Sequence, residues 1–159
     1  MFAGIRMGYI VVPPHLADAF TNASAKLLRP GNLHLQAALA DFIHLGHFSQ
    51  HIKRMREEYG ERQSTLRSAL KERLGEMVQL SEARAGLHLF TRLSEQVNYE
   101  RIIQEARKDG LVLGLPYFVG SRPDLQSRSI ILGYGGVPLE EIEAGVVRLA
   151  KAVSRSRRA

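Results

Sequence analysis

Residues 46–62 read GHFSQHIKRMREEYGER, and this stretch decides how the rest of the chain is organised. It lies in the middle of residues 33–74, where apolar side chains recur at helical spacing. Because roughly forty residues is too long for one ordinary globular helix, we predict a break near Gly46. A long helix then covers about 48–74, and Gly75 is suited to end it.

Upstream of this stretch, the sequence predicts one strand and one further helix. Residues 5–12 are mostly apolar and predict a strand, which Pro13 and Pro14 end because proline cannot donate a hydrogen bond to a ladder. The apolar spacing in residues 15–28 predicts a helix. Asn32 has a side chain suited to cap the start of the helix that follows.

Downstream of Gly75, short apolar segments predict strands and two amphipathic segments predict helices. Strands are expected at 77–82, 86–93, 111–119 and 129–135, and helices at 97–110 and from Pro138 onward. The fold class is therefore α/β, with part of one domain, a long connecting helix and a small α/β domain.

The composition is that of a globular chain, with 159 residues of which 45% are hydrophobic and 24% charged. No apolar run reaches the ~20 residues that span a bilayer, so we expect no membrane segment. The absence of cysteine excludes disulfides and thiolate chemistry and agrees with a cytoplasmic protein. The net charge of +6 permits contact with nucleic acid or anionic ligands, although a solvated terminus is the simpler interpretation of the basic end, SRSRRA.

The opening motif Gly4-x-Arg6-x-Gly8 contains the first candidate binding residues. An arginine fork can bind a phosphate through two hydrogen bonds, and glycine lets the backbone approach a ligand closely. Judged by spacing alone, a surface arginine beside glycine is the simpler interpretation.

His44, His47 and His51 are spaced three and four residues apart, which places imidazoles on one helical face, as metal sites require. No glutamate lies between them as a general base, and Asp41 is the nearest acid. We therefore favour packing and hydrogen bonding for these histidines and expect no metal site.

Arg128 precedes the strand that leads to Gly-Tyr-Gly, and it is a candidate for binding a carboxylate, with an exposed loop arginine as the alternative. Gly86 and His88 present the same choice between a ligand cleft and ordinary structure. The mixed charges of residues 53–62 predict a solvated helix face with ion pairs.

Taken together, five segments resemble one family in order and spacing. They are GIRMGYIVVPP, LQAALADFIHLGHFSQHIKRMREEYGERQSTL, AGLHLFTRL, GLVLGLPYFV and IILGYGGVPLEEIEAGVVRLAKAV. The family is the MocR-type transcription regulators of the GntR superfamily, and the match is to the C-terminal half of their aminotransferase-like domain. The most specific part is the pattern from Gly46 to Arg62.

This resemblance implies part of a fold-type I architecture that depends on pyridoxal 5′-phosphate (PLP). Residues 1–46 would be the remnant of the large PLP-binding domain, 47–75 the long connecting helix and 76–159 the small C-terminal α/β domain. Arg6 matches the family arginine that binds the PLP phosphate, and Gly8 lies beside it. The family lysine that forms the Schiff base would lie two residues before Met1, so we expect Met1 to occupy an internal position of a longer protein.

One departure concerns the substrate. Aminotransferases of this fold often carry an arginine on the late strand, where it binds the substrate carboxylate. In this sequence that position falls near Ile131, which is apolar, and Arg128 is three residues early. This strand therefore departs from the family pattern of carboxylate recognition.

The resemblance implies a truncated PLP-dependent effector domain of a MocR-type regulator, without the Schiff-base lysine or the DNA-binding domain. The implied partners are an amino-acid-like or amine effector and, in the full-length form, a second copy in a homodimer; DNA would bind only through an absent N-terminal domain. The alternatives are a fragment of a class I/II aminotransferase, which moves an amino group between an amino acid and a 2-oxo acid, and a stand-alone binding module. We expect this chain alone to be inactive as a transaminase and to bind no specific DNA.

Overall fold

A computed structural model of the chain describes residues 7–27, 32–82, 86–114 and 128–157. The described helices are α1 (Ala17–Leu27), α2 (Leu33–His44), α3 (His47–Leu74), α4 (Tyr99–Lys108) and α5 (Leu139–Arg155). The strands are β1 (Val78–Leu80), β2 (His88–Leu93) and β3 (Ser129–Gly133), and short 3-10 turns cover Pro14–Leu16 and Gly75–Met77. The chain divides into two compact units, residues 1–55 and 56–159, with the boundary inside α3.

Unit 1, residues 1–55, contains α1, α2 and the first part of α3. The Asn32 side chain accepts a hydrogen bond from the Leu35 amide at 3.3 Å, so the predicted cap of α2 is confirmed. Gly46 has a φ of 80° between α2 and α3, a left-handed conformation that glycine adopts easily. The break predicted near Gly46 and the long helix to residue 74 are both confirmed.

The strand predicted for residues 5–12 is wrong for its described part. Residues 7–13 have no regular secondary structure and pair with no strand, whereas residues 5 and 6 lie outside the described residues. Tyr9, Ile10 and Val11 are 74–90% exposed. Alternating apolar side chains make a strand only where a neighbour satisfies the backbone, and no described residue does so here. Indeed, no described residue of unit 1 is buried.

Unit 2, residues 56–159, is built on an antiparallel sheet in the order β1-β2-β3. Leu89 and Thr91 of β2 are fully buried on one face, and the register pairs Thr91 with Ile130 of β3. The same core takes up one stripe of α3, comprising Leu66, Ala69, Leu70 and Leu74, together with apolar residues of α4 and α5. The spacing of this stripe is that of one helical face.

The strand predicted at 111–119 is reduced to one bridge in its described part, and residues 115–119 lie outside the described residues. Gly114 and Ile131 exchange backbone hydrogen bonds at 2.8 and 3.3 Å. A Cβ at Gly114 would lie 2.9 Å from the Ile131 carbonyl oxygen, so this close approach requires glycine. No helix in the described ranges combines the length and apolar content needed to cross a membrane.

An ion cluster joins the C-terminal ends of α4 and α5. Glu105 accepts from Lys108 at 2.6 Å and pairs with Arg155 at 3.0 Å, and Arg155 also pairs with Asp109. The hydrogen bond from Lys108, and then the charges of Lys108 and Arg155, hold the pKa of Glu105 below its usual value against the opposing effect of burial.

This shift predicts a stability loss in acid. A carboxyl group whose pKa is lowered by folding stabilises the fold above its unfolded pKa, near 4.5, and loses that contribution as the pH falls through the folded value. We expect Glu105→Gln to melt below the wild type at about pH 7, and the difference to shrink towards about pH 3. Thermal denaturation followed by circular dichroism measures both. The control is Glu143→Gln, an exposed α5 carboxylate outside the cluster; an equal loss there would contradict the assignment.

Candidate functional site

The sequence-predicted Gly8 lies in a groove of unit 1 that we call the Gly8 groove. It has a volume of about 890 Å³ and is lined by Met7, Gly8, Tyr9, Gln36, Leu39, Ala40, Ile43 and Phe48. A Cβ at Gly8 would meet no atom within 4 Å, so its backbone is open to a ligand. Among the described residues of the lining, Tyr9 and Gln36 have side chains able to form hydrogen bonds, and none is charged. Arg6, the predicted phosphate ligand, lies outside the described residues.

The three histidines are placed at the turn between α2 and α3. His47 and His51 pack against Phe42, with ring centroids 5.8 and 6.5 Å apart, and His51 contacts Arg54. His44 is exposed in the last turn of α2. Across the described ranges, no three His, Cys, Asp or Glu side chains are grouped so as to hold a metal ion. The ring contacts of His47 and His51 agree with the prediction that these histidines take part in packing.

Arg128 lies immediately before β3 and pairs with Glu95 at 2.5 Å. Glu95 is 85% exposed, whereas Arg128 is 29% exposed, so water screens one partner strongly. An exposed pair of this kind contributes at most about 1 kcal/mol. An anionic ligand could therefore replace the Glu95 carboxylate at small cost, although Arg128 is engaged in the structure.

The structure brings together two glycine-containing segments that the sequence analysis singled out separately. Tyr134, in the Gly-Tyr-Gly turn after β3, is 2% exposed, and its hydroxyl donates to the Gly86 carbonyl at 2.7 Å. Gln63 of α3 donates to the same hydroxyl at 3.0 Å. Gly86 has a φ of 94°, and the exposed His88 ring lies beside Gly133. This network fixes the turn against α3.

Arg62 corrects the prediction that residues 53–62 form only a solvated face. The predicted ion pairing is present, because Arg62 lies 3.6 Å from Glu58, but its guanidinium also donates to the Gly135 carbonyl at 2.8 Å. It lies 5.6 Å from the Tyr59 ring centroid as well. The sequence pattern could not reveal the contact with Gly135 because the two residues are 73 positions apart.

A second residue that sequence reasoning missed is Arg92 on β2. It is half-buried, and alternation along the strand places it on the same sheet face as Phe90. The register pairs Phe90 with Ile131 and Arg92 with Ser129, whose buried hydroxyl has no hydrogen-bond partner among the described residues. The alternation of buried and less buried side chains expected within residues 88–93 was the sequence signal that could have identified Arg92. This face of the sheet therefore carries the apolar pair Phe90–Ile131, and the next pair on the same face contains the cation Arg92.

The comparisons with known proteins agree on one family. A family model described as aminotransferase class I and II matches residues 2–117. The chain is 32% identical to the uncharacterized HTH-type transcriptional regulator YhdI of Bacillus subtilis, covering 96% of this chain and 32% of that protein. It is 34% identical to the probable rhizopine catabolism regulatory protein MocR of Rhizobium meliloti, covering 96% of this chain and 31% of that protein. It thus spans about a third of these relatives.

A solved structure shares the fold. LysN, an α-aminoadipate aminotransferase of Thermus thermophilus complexed with N-(5′-phosphopyridoxyl)-L-leucine, superposes with a TM-score of 0.75 at 20% identity. The match covers 91% of this chain and 37% of that one. The predicted fold class, an α/β part of a fold-type I aminotransferase, is confirmed.

The Tyr134 network makes a prediction about stability. Tyr134→Phe removes one hydroxyl and leaves the Gly86 carbonyl and the Gln63 amide without this hydrogen-bond partner. We expect the free energy of unfolding to fall by about 1–2 kcal/mol, measured by urea denaturation. Tyr9→Phe makes the same chemical change at a 90% exposed position and should have almost no effect. Equal effects of the two variants would show that the network adds nothing.

Proposed function

Because this chain belongs to the aminotransferase class I and II family, we propose that it serves as part of the effector-sensing domain of a MocR-type transcription regulator. The observation that carries this proposal is the similarity to two regulators over 96% of the chain. Both relatives are about three times as long, so the activity of the whole protein is part of the proposal. In it, DNA binding belongs to a separate N-terminal helix-turn-helix domain.

The cofactor of the proposed parent protein is PLP, and the described residues do not form a site for it by themselves. PLP chemistry needs a lysine amine for covalent attachment and usually an acid beside the ring nitrogen, so that the ring can accept electrons. The described lining of the Gly8 groove contains neither. The lysines are all exposed on helices and none lines the groove: Lys26, Lys53, Lys71, Lys108 and Lys151. Under this proposal, the chain contributes to PLP binding only through contacts of Arg6 and Gly8 with the phosphate group.

The proposed effector is an amino-acid-like or amine compound. The apolar pair of Phe90 and Ile131 offers no charge for a carboxylate, which favours an effector with an apolar portion at this point. Arg128 can bind an anionic group only by exchanging Glu95 for it, and half-buried Arg92 is the other cation near this face. An effector carboxylate would therefore bind beside β3 and not on Ile131.

We also propose that the full-length form is a homodimer. Unit 1 exposes large apolar side chains at Tyr9, Ile10, Val11, Leu27 and Leu33 to 62% or more. Tyr9, Ile10 and Val11 are consecutive, and a cluster of exposed apolar side chains marks an interaction site in a soluble protein. Association with further polypeptide would remove these side chains from water.

The second candidate function is a true aminotransferase, which the family match favours. The DNA upstream of the Met1 codon separates the candidates. A reading frame that encodes a winged helix, followed by a Ser-x-Lys motif ending two residues before Met1, would support the regulator. The same lysine motif without a winged helix would support the enzyme. A stop codon directly before Met1 would contradict both and leave a stand-alone module.

The cofactor argument predicts the behaviour of the purified chain. Mixed with PLP and desalted, it should retain no cofactor absorbance, and it should transfer no amino group between an amino acid and a 2-oxo acid. The reason is that no described lysine lies in the Gly8 groove. An absorbance change that Arg6→Ala abolishes, and that the exposed control Arg148→Ala preserves, would contradict this prediction.

A further inference from the structure

An apolar cleft of about 130 Å³ opens in unit 2 between residues 111–113, the end of β3 and the first half of α5. Its innermost lining includes Leu66, Val146 and Leu149, which are 7%, 2% and 1% exposed. Val112 stands at its rim and is 80% exposed. These three side chains offer no hydrogen bond to a water molecule, so the inner part of the cleft favours an apolar occupant.

Among the described residues that line this cleft, one has a charged side chain. Glu141 lies in the first turn of α5 and is exposed, and no described residue forms an ion pair with it. Glu140 lies in the same turn and has the same charge, but it does not line the cleft. The helix dipole favours both carboxylates equally. It therefore accounts for acids in this turn but not for the position of Glu141 at the edge of an apolar cleft.

Gly145 keeps the opening wide. It follows Glu141 by one helical turn and also lines the cleft. A Cβ built at Gly145 would meet nothing within 4 Å, so no described neighbour requires glycine there. Glycine inside a helix costs about 1 kcal/mol relative to alanine. A larger side chain at this position would point into open space at the cleft.

We propose that this cleft binds a small organic ammonium compound, with its apolar ring or short chain inside and its cationic nitrogen at the Glu141 carboxylate. The volume suits a ring-sized group, because a dry apolar cavity of about 150 Å³ binds benzene. The single negative charge selects a cation over a neutral or anionic compound of the same shape. The inference goes beyond the proposed function, since it assigns a separate site that uses neither PLP nor DNA nor the two arginines beside β3.

Benzylamine is the probe, with benzyl alcohol as its neutral counterpart. Titration of the purified 159-residue chain, followed by amide chemical shifts, should place the shifts at residues 111–113 and at the first half of α5. Glu141→Gln should weaken benzylamine by about two- to fivefold and leave benzyl alcohol unchanged. Glu140→Gln is the matched control and should change neither. An equal loss in both variants would overturn the assignment to Glu141.

Gly145→Leu tests the cleft itself. Leucine is a better helix former than glycine, so the variant should fold, while its side chain fills the opening. Binding of both probes should fall more than tenfold, whereas the exposed neighbour Ala144→Leu, which does not line the cleft, should bind as the wild type does. Retained binding in Gly145→Leu, or no shift with either probe in the wild type, would overturn the proposal.

Discussion

Burial of one stripe of α3 is the interaction on which the structure of unit 2 depends. Leu66, Leu70 and Leu74 leave water along one face of this helix, and Leu70 is fully enclosed. Each fully buried leucine contributes about 1.5–3 kcal/mol, which is large beside the net stability of a small domain. Because the buried stripe fixes the orientation of α3, it directs the neighbouring side chains of Gln63 and Arg62 towards one part of unit 2. Both therefore bond to the turn that follows β3.

Unit 1 lacks such a constraint within its described residues. Its helices have correct caps and turns, as at Asn32 and Gly46, yet none of its described side chains is buried. Local hydrogen bonding thus defines the helices without a core that would hold them together. Isolated helices of the length of α1 and α2 are marginal in water, so their capping alone does not account for their stability.

The parts of the fold that follow from local rules could be predicted from the sequence. The ends of α3 follow from helical periodicity and two glycines, and the start of α5 follows from Pro138 with acids in the first turn. The strand assigned to residues 5–12 failed because alternation says nothing about whether a pairing partner is available. Arg62 and Arg92 were missed for a related reason, since their surroundings are set by tertiary contacts and strand register. Arg128 and Gly8 lie in different units, and the spacing of residues in the sequence does not indicate whether two such residues belong to one binding site.

The arginines bear on how the basic charge should be interpreted. The formal charge of +6 suggests a surface that attracts polyanions. In the described ranges, however, Arg62 and Arg67 donate to backbone carbonyls, and Arg128 and Arg155 pair with carboxylates. Cations fixed in this way stabilise the fold and are less available to follow a phosphate backbone, which needs several free cations in a row. These four arginines therefore serve the fold, and they are not the residues to which binding of a polyanion should be assigned.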